Sequence, residues 1–267
     1  MKIWRFTFSH DAFYRLPEEK RVFWLQLAQI RNDLRAIDGI CIVALNVVRP
    51  HNGADEYSED ERRIALHQLI FAVRQLCETL EKAHKVIHRQ WHGTPLSKQM
   101  QSSLSEEAKN ALKAFNKYFN NSANLVTTIR RNFAHHFDSE ILKGRLCQCS
   151  SDQLHEFIAG GISGNTFYKF AEELRYIAII RAIEGGDIEK AVSRGAITKL
   201  YDEPQQKALL PFETFADAVL FKIAEELDLK REHANIGEPA DPKSLRPFLW
   251  FPEPESDSGA DMINNVT

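Results

Sequence analysis

Long runs of apolar residues at helical spacing, with few breakers between them, constrain this chain more than any other feature. Only 12 glycines and 10 prolines are spread over 267 residues. Pro17, followed by Glu18 and Glu19, suits a first helical turn, where the missing amide costs nothing and acids complement the helix dipole. From there Val22, Leu25, Leu27, Ile30, Leu34 and Ile37 recur at the period of a helix. Gly39 offers a stop, but the apolar pattern continues through "CIVALNVV", and a single helix reaching Pro50 is expected despite the β-branched residues. "HNGADEYSED" reads as a loop. Ser58 and Glu61 then form a capping-box pattern that opens a second long helix, whose stripe runs from Leu66 to Ile87 and predicts an end near Trp91.

After the connection "HGTPLSKQMQSS", Ser105 precedes the helical "EEAKNALKAFNKYF", "NNSAN" forms a turn and cap, and "LVTTIRRNFAHHF" reads as a short helix. Two long helices followed by two shorter ones make an antiparallel bundle. The texture then changes. "TFYKFAEELRYIAIIRAIEGG", "DIEKAVSRG" and "PFETFADAVLFKIAEELDLK" look helical, and the chain turns Pro-rich and acidic from about His233. The expected organisation is a bundle over residues 1–145, a helical C-terminal extension over 146–232, and a tail over 233–267 partly docked through Phe248, Leu249, Trp250 and Phe251. Near the N-terminus "IWRFTFS" alternates like a strand but is too isolated to set the fold. The fold class is all-α.

The four cysteines, Cys41, Cys77, Cys147 and Cys149, make no disulfide framework, and "CQC" has the wrong spacing for a zinc knuckle. The N-terminus lacks the apolar core of a signal peptide, and the run "ICIVALNVV" is too short to span a bilayer. These features predict a cytoplasmic protein with no membrane partner.

Charge is uneven. The formal net charge is -3, yet Lys82–Leu146 carries eleven basic residues against four acidic ones. Such a segment can attract an anionic polymer. His84, His88 and His92 follow at four-residue steps, and Glu81 with His84 makes a Glu-x-x-His unit, but a di-iron bundle needs two such units and two further glutamates. No metal or other cofactor is expected. "AGGISGNT" lacks the lysine of a P-loop, and no Ser or Cys sits in a nucleophile context.

The densest chemistry lies in "TTIRRNFAHHFDSE", Thr127 to Glu140. On a helix Asn132 and His136 share a face, and Arg131 and His135 share the adjacent one. Arg131 can give a phosphate two parallel charge-assisted bonds. His136 has an ordinary pKa near ~6.5, suited to moving a proton at neutral pH. Asn132 can orient either group. Such parts suffice for metal-free RNA cleavage, in which the ribose 2′-OH attacks phosphorus while an acid protonates the leaving oxygen. Positions five apart on a straight helix are offset by roughly 140°. Arg131 and His136 therefore need a bend, a long arginine reach, or the copy from a second chain.

"RNFAHH" resembles the signature of the HEPN superfamily: an Arg, commonly a polar residue directly after it, then a His beyond four to six intervening residues. The strict form Arg-Asn-x-x-x-His occurs once, as Arg131, Asn132 and His136, while looser matches run from Arg5 to His10, Arg62 to His67 and Arg130 to His135. The resemblance covers about Pro17 to Arg145. It implies a HEPN-like antiparallel bundle, a homodimer paired through the motif helix, and a metal-independent endoribonuclease of toxin–antitoxin or phage-defence type, with an antitoxin protein as a further partner. Arg131, Asn132 and His136 would be catalytic. Arg130, His135, Lys113 and Lys117 would bind the RNA substrate. The alternatives are a non-catalytic helical protein- or RNA-binding module, as some members have become, and a metal-bundle enzyme.

Overall fold

The computed structural model describes residues 2–49, 57–131, 157, 167–184, 195–235 and 237. Strand β1, Lys2–Thr7, leads into the short helix α1, His10–Arg15, capped by the Ser9 hydroxyl, which accepts from the Ala12 amide. Helix α2 runs unbroken over Glu18–Val48 with Pro17 at its cap. Gly39 does not end it. Burial of Cys41, Ala44, Leu45 and Val47 on one face outweighs the weak helix preference of the β-branched residues beyond. Helix α3, Glu59–Gln90, opens on the expected capping box: Ser58 Oγ accepts the Glu61 amide at 3.2 Å, and Glu61 Oε2 accepts the Ser58 amide at 2.8 Å. Gly93, at φ 73°, takes the left-handed turn beyond its end.

The stretch read as a plain connection contains helix α4, Pro95–Met100, because Thr94 caps the Ser97 amide and Pro95 suits the first turn. Helix α5, Glu106–Asn120, and α6, Leu125–Ile129, start at Ser105 and Asn124 respectively. Helix α7 covers Lys169–Glu184. Helix α8, Ala196–Pro204, passes through a wide π-turn over Gln205–Leu209 into α9, Leu210–Ala224. The ladder widens between Pro204 and Pro211, which bring no amide donors, and the Leu210 amide reaches back to the Gln205 carbonyl. "DIEKAVSRG" and Phe248 to Phe251 lie outside the described residues, as do Cys147 and Cys149.

Helix α9 ends sooner than its sequence suggested, and Lys230–Asn235 forms strand β2, antiparallel to β1. Arg5 faces Glu232 across the ladder at 3.1 Å. The isolated-looking strand thus has a partner from the far end of the described chain.

A single apolar cluster joins these helices. Phe23, Leu27 and Leu34 of α2 meet Leu76, Leu80 and Ile87 of α3, Phe115 of α5, Ile129 of α6, and Phe212, Phe215 and Val219 of α9. Trp91 stacks on Phe23 at 5.8 Å and meets Phe215 edge-on at 5.2 Å. The core therefore joins helices from both sides of the expected boundary at residue 145, and α9 packs with the N-terminal helices. Polar ties reinforce this: Lys20 Nζ reaches both oxygens of Glu226 at 2.7 and 2.8 Å, and Arg31 bridges Glu213 and Asp217 at 2.9 and 3.2 Å. Cys41 and Cys77 are buried free thiols whose pKa values burial pushes up. The described residues make an all-α helical bundle with one two-stranded ribbon. No helix among them is long and apolar enough to cross a membrane.

Candidate functional site

The helix that opens the motif is fixed by local bonds. Asn124 Oδ1 accepts the Thr127 amide at 2.8 Å, and its Nδ2 donates to the Asn121 carbonyl at 2.6 Å. The Val126 amide donates to the Tyr118 hydroxyl at 3.3 Å, while Val126 and Ile129 are buried. Burial pushes the Tyr118 phenol up, so it stays protonated at neutral pH. The next turn presents the two arginines differently. Arg130 Nε lies 3.0 Å from Glu81 Oε2, and Lys85 Nζ lies 3.0 Å from Oε1 of the same carboxylate. Glu81 is largely buried, and its Oε2 takes the charge of Arg130 without a directional hydrogen bond. Arg131 is exposed and forms no ion pair with a described residue. Asn132, His135 and His136 lie outside the described residues. Lys113 and Lys117 are exposed, four apart on one face of α5.

Beyond Glu81 the same flank of α3 carries His84 and His88, and His92 follows in the turn past its end. His84 stacks on Phe119 of α5, with centroids 4.5 Å apart and planes at 10°. Successive rings are 6.4 Å apart from His84 to His88 and 6.2 Å from His88 to His92. Burial lowers the His84 pKa, the charges of His88 and His92 lower it further, and Glu81 opposes them. His92 Nε2 sits 3.3 Å from Asn116 Oδ1. It borders a cleft of about 250 Å³ lined also by Ser97, Gln101, Lys109 and Lys113. Among the described residues no three metal-ligating side chains converge.

A second polar cluster was not singled out from the sequence. His67 Nδ1 of α3 lies 2.6 Å from Glu172 Oε2 of α7, and Glu172 is also paired with Arg175. His67 and Glu172 edge a cavity of about 50 Å³ walled by Leu66, Ile70, Phe167 and Tyr176. The Tyr176 hydroxyl is buried without a hydrogen-bond partner among the described residues. Burial pushes the Glu172 carboxyl up, but the hydrogen bond with His67 and the charges of His67 and Arg175 together hold it below its ordinary value. The loose match from Arg62 to His67 was the sole sequence signal here. It could not reveal a partner on another helix.

The fold and the basic helix end define a class no narrower than a helical bundle. No family model, curated protein or solved structure matches the chain.

Proposed function

We propose that this protein is a metal-independent endoribonuclease of HEPN type, acting in the cytoplasm as a homodimer paired through the motif helix. Arg131 grips the scissile phosphate. His136 takes the proton of the ribose 2′-OH, and a bond forms between that oxygen and phosphorus while the bond from phosphorus to the 5′ oxygen breaks. A second imidazole, His135 or the His136 copy of the other protomer, protonates the leaving oxygen. Asn132 orients these groups, and Lys113, Lys117 and Arg130 draw in the RNA. A toxin–antitoxin or phage-defence role, with an antitoxin protein as partner, follows from the same reading.

One observation carries the proposal: two adjacent arginines follow α6 of the bundle, with Arg130 held by Glu81 and Arg131 exposed. This favours the Arg131-Asn132-His136 register over the one starting at Arg130. The test is growth of an expression host. Wild type should slow it, and His136→Ala should relieve the effect. Equal toxicity of that variant would argue against catalysis here, and a wild type that leaves growth untouched would favour the non-catalytic binding module.

A further inference from the structure

His84, His88 and His92 have no part in the chemistry above. Their rings succeed one another at 6.4 and 6.2 Å, close to the distance between neighbouring phosphates of a nucleic-acid strand. The row begins one helical turn after Glu81, which holds Arg130, and finishes in the cleft shared by His92 and Lys113. From Glu81 to Gln90, its last residue, α3 rises roughly 14 Å, so the row extends away from the motif arginines by a few nucleotides.

Its surroundings are cationic. Along α3 it is flanked by Glu81 and Lys85, along α5 by Lys109, Lys113 and Lys117, and at the end of α6 by Arg130, while Arg89 borders a separate hollow with Glu18 and Glu19. Glu81 is already compensated by Lys85 and Arg130, and Lys109 is paired with Glu106 at 2.8 Å. Lys113 and Lys117 form no ion pair among the described residues. His84 is packed against Phe119, whereas His88 and His92 are exposed.

We propose that His88 and His92, with Lys113 and Lys117, form a track for the phosphates of single-stranded RNA flanking the cleavage point, and that RNA bound there takes up protons. The proposal rests on the ribonuclease reading for its choice of ligand. A phosphate set beside an imidazole favours its protonated form. By linkage, affinity must then rise as pH falls.

The probe is a fluorescently labelled, fully 2′-O-methylated RNA oligonucleotide, which cannot be cleaved by 2′-OH attack. Its binding to the full chain is followed by anisotropy at about pH 6 and about pH 8, on either side of the ordinary imidazole pKa. Wild type should bind about tenfold or more tightly at the lower pH. The double variant His88→Ala, His92→Ala should lose that dependence while keeping its helical circular dichroism. Lys113→Ala with Lys117→Ala should flatten the salt dependence, by about 0.7 in log–log slope for each lost phosphate contact on a single strand. An unchanged pH response in the histidine variant would overturn the track. So would competition by polyglutamate equal to that by RNA, which would assign the face to an acidic protein. Because the probe is inert, loss of cleavage leaves this test standing, and persisting cleavage with no pH response would sink the track alone.

Discussion

Arg130 and Glu81 face each other across α6 and α3, Nε to Oε2 at 3.0 Å, while Arg131, the very next residue, is exposed. Two adjacent arginines thus have separable jobs. Arg130→Ala leaves a largely buried carboxylate with Lys85 as its remaining ion pair, and should destabilise the fold by about 1–3 kcal/mol. Arg131→Ala removes an exposed side chain and should stay within about 0.5 kcal/mol of wild type. Urea denaturation of both variants checks this. Equal losses would contradict the assignment.

Phe215 is fully buried, packed edge-on against Trp91, on a helix that follows the motif by some eighty residues. If α9 belongs to the bundle core, Phe215→Ala should cost about 3–5 kcal/mol, and a fragment ending at residue 145 should fail to unfold cooperatively. A cooperative, native-like transition from that fragment would contradict the continuous core.

What the sequence disclosed, and what it hid, follows from the range of each interaction. Caps at Ser58, Ser105 and Asn124 bond amides three residues away, so they are legible from spacing alone. The long stripes of α2 and α3 are legible because a buried face must repeat with the helix. Strand β2 is not. "KREHAN" has no alternating apolar pattern, and its pairing with β1 joins residues at opposite ends of the described chain. His67 and Glu172 likewise meet only through packing of α3 on α7. Of the candidate site, the sequence located both arginines but could not tell that Glu81 holds one of them. Glu81 and His84 have the spacing of a metal-binding unit, yet Glu81 faces Arg130 and His84 stacks on Phe119.

Gly39 sits exposed within α2, and a Cβ built there meets nothing within 4 Å. Its φ is not positive. Gly39→Ala should therefore stabilise the protein by about 0.5–1 kcal/mol, through helix propensity and a less free unfolded chain. Thermal melting checks it, and a lower melting temperature would show that the helix needs its freedom there.

Glu172 has a carboxyl held below its ordinary value of 4.5 in the folded protein. A depressed folded pKa means that the unfolded chain takes the proton more readily. The resulting stability is fully present above the unfolded value and is lost as pH falls through the folded one. Denaturation from neutral pH down through the acid range should show this loss in wild type and a shallower acid limb in Glu172→Gln. Parallel curves would mean that the contact with His67 adds nothing.

The most direct measurement of the central claim is RNA cleavage by the purified protein in excess chelator, with the product ends identified by mass. Wild type should cut RNA but not DNA, leaving 2′,3′-cyclic phosphate ends. Arg131→Ala and His136→Ala should each lose about 10²- to 10⁴-fold in rate, the usual contribution of an acid–base group. Cleavage that needs a metal, or that persists undiminished in either variant, would contradict the account.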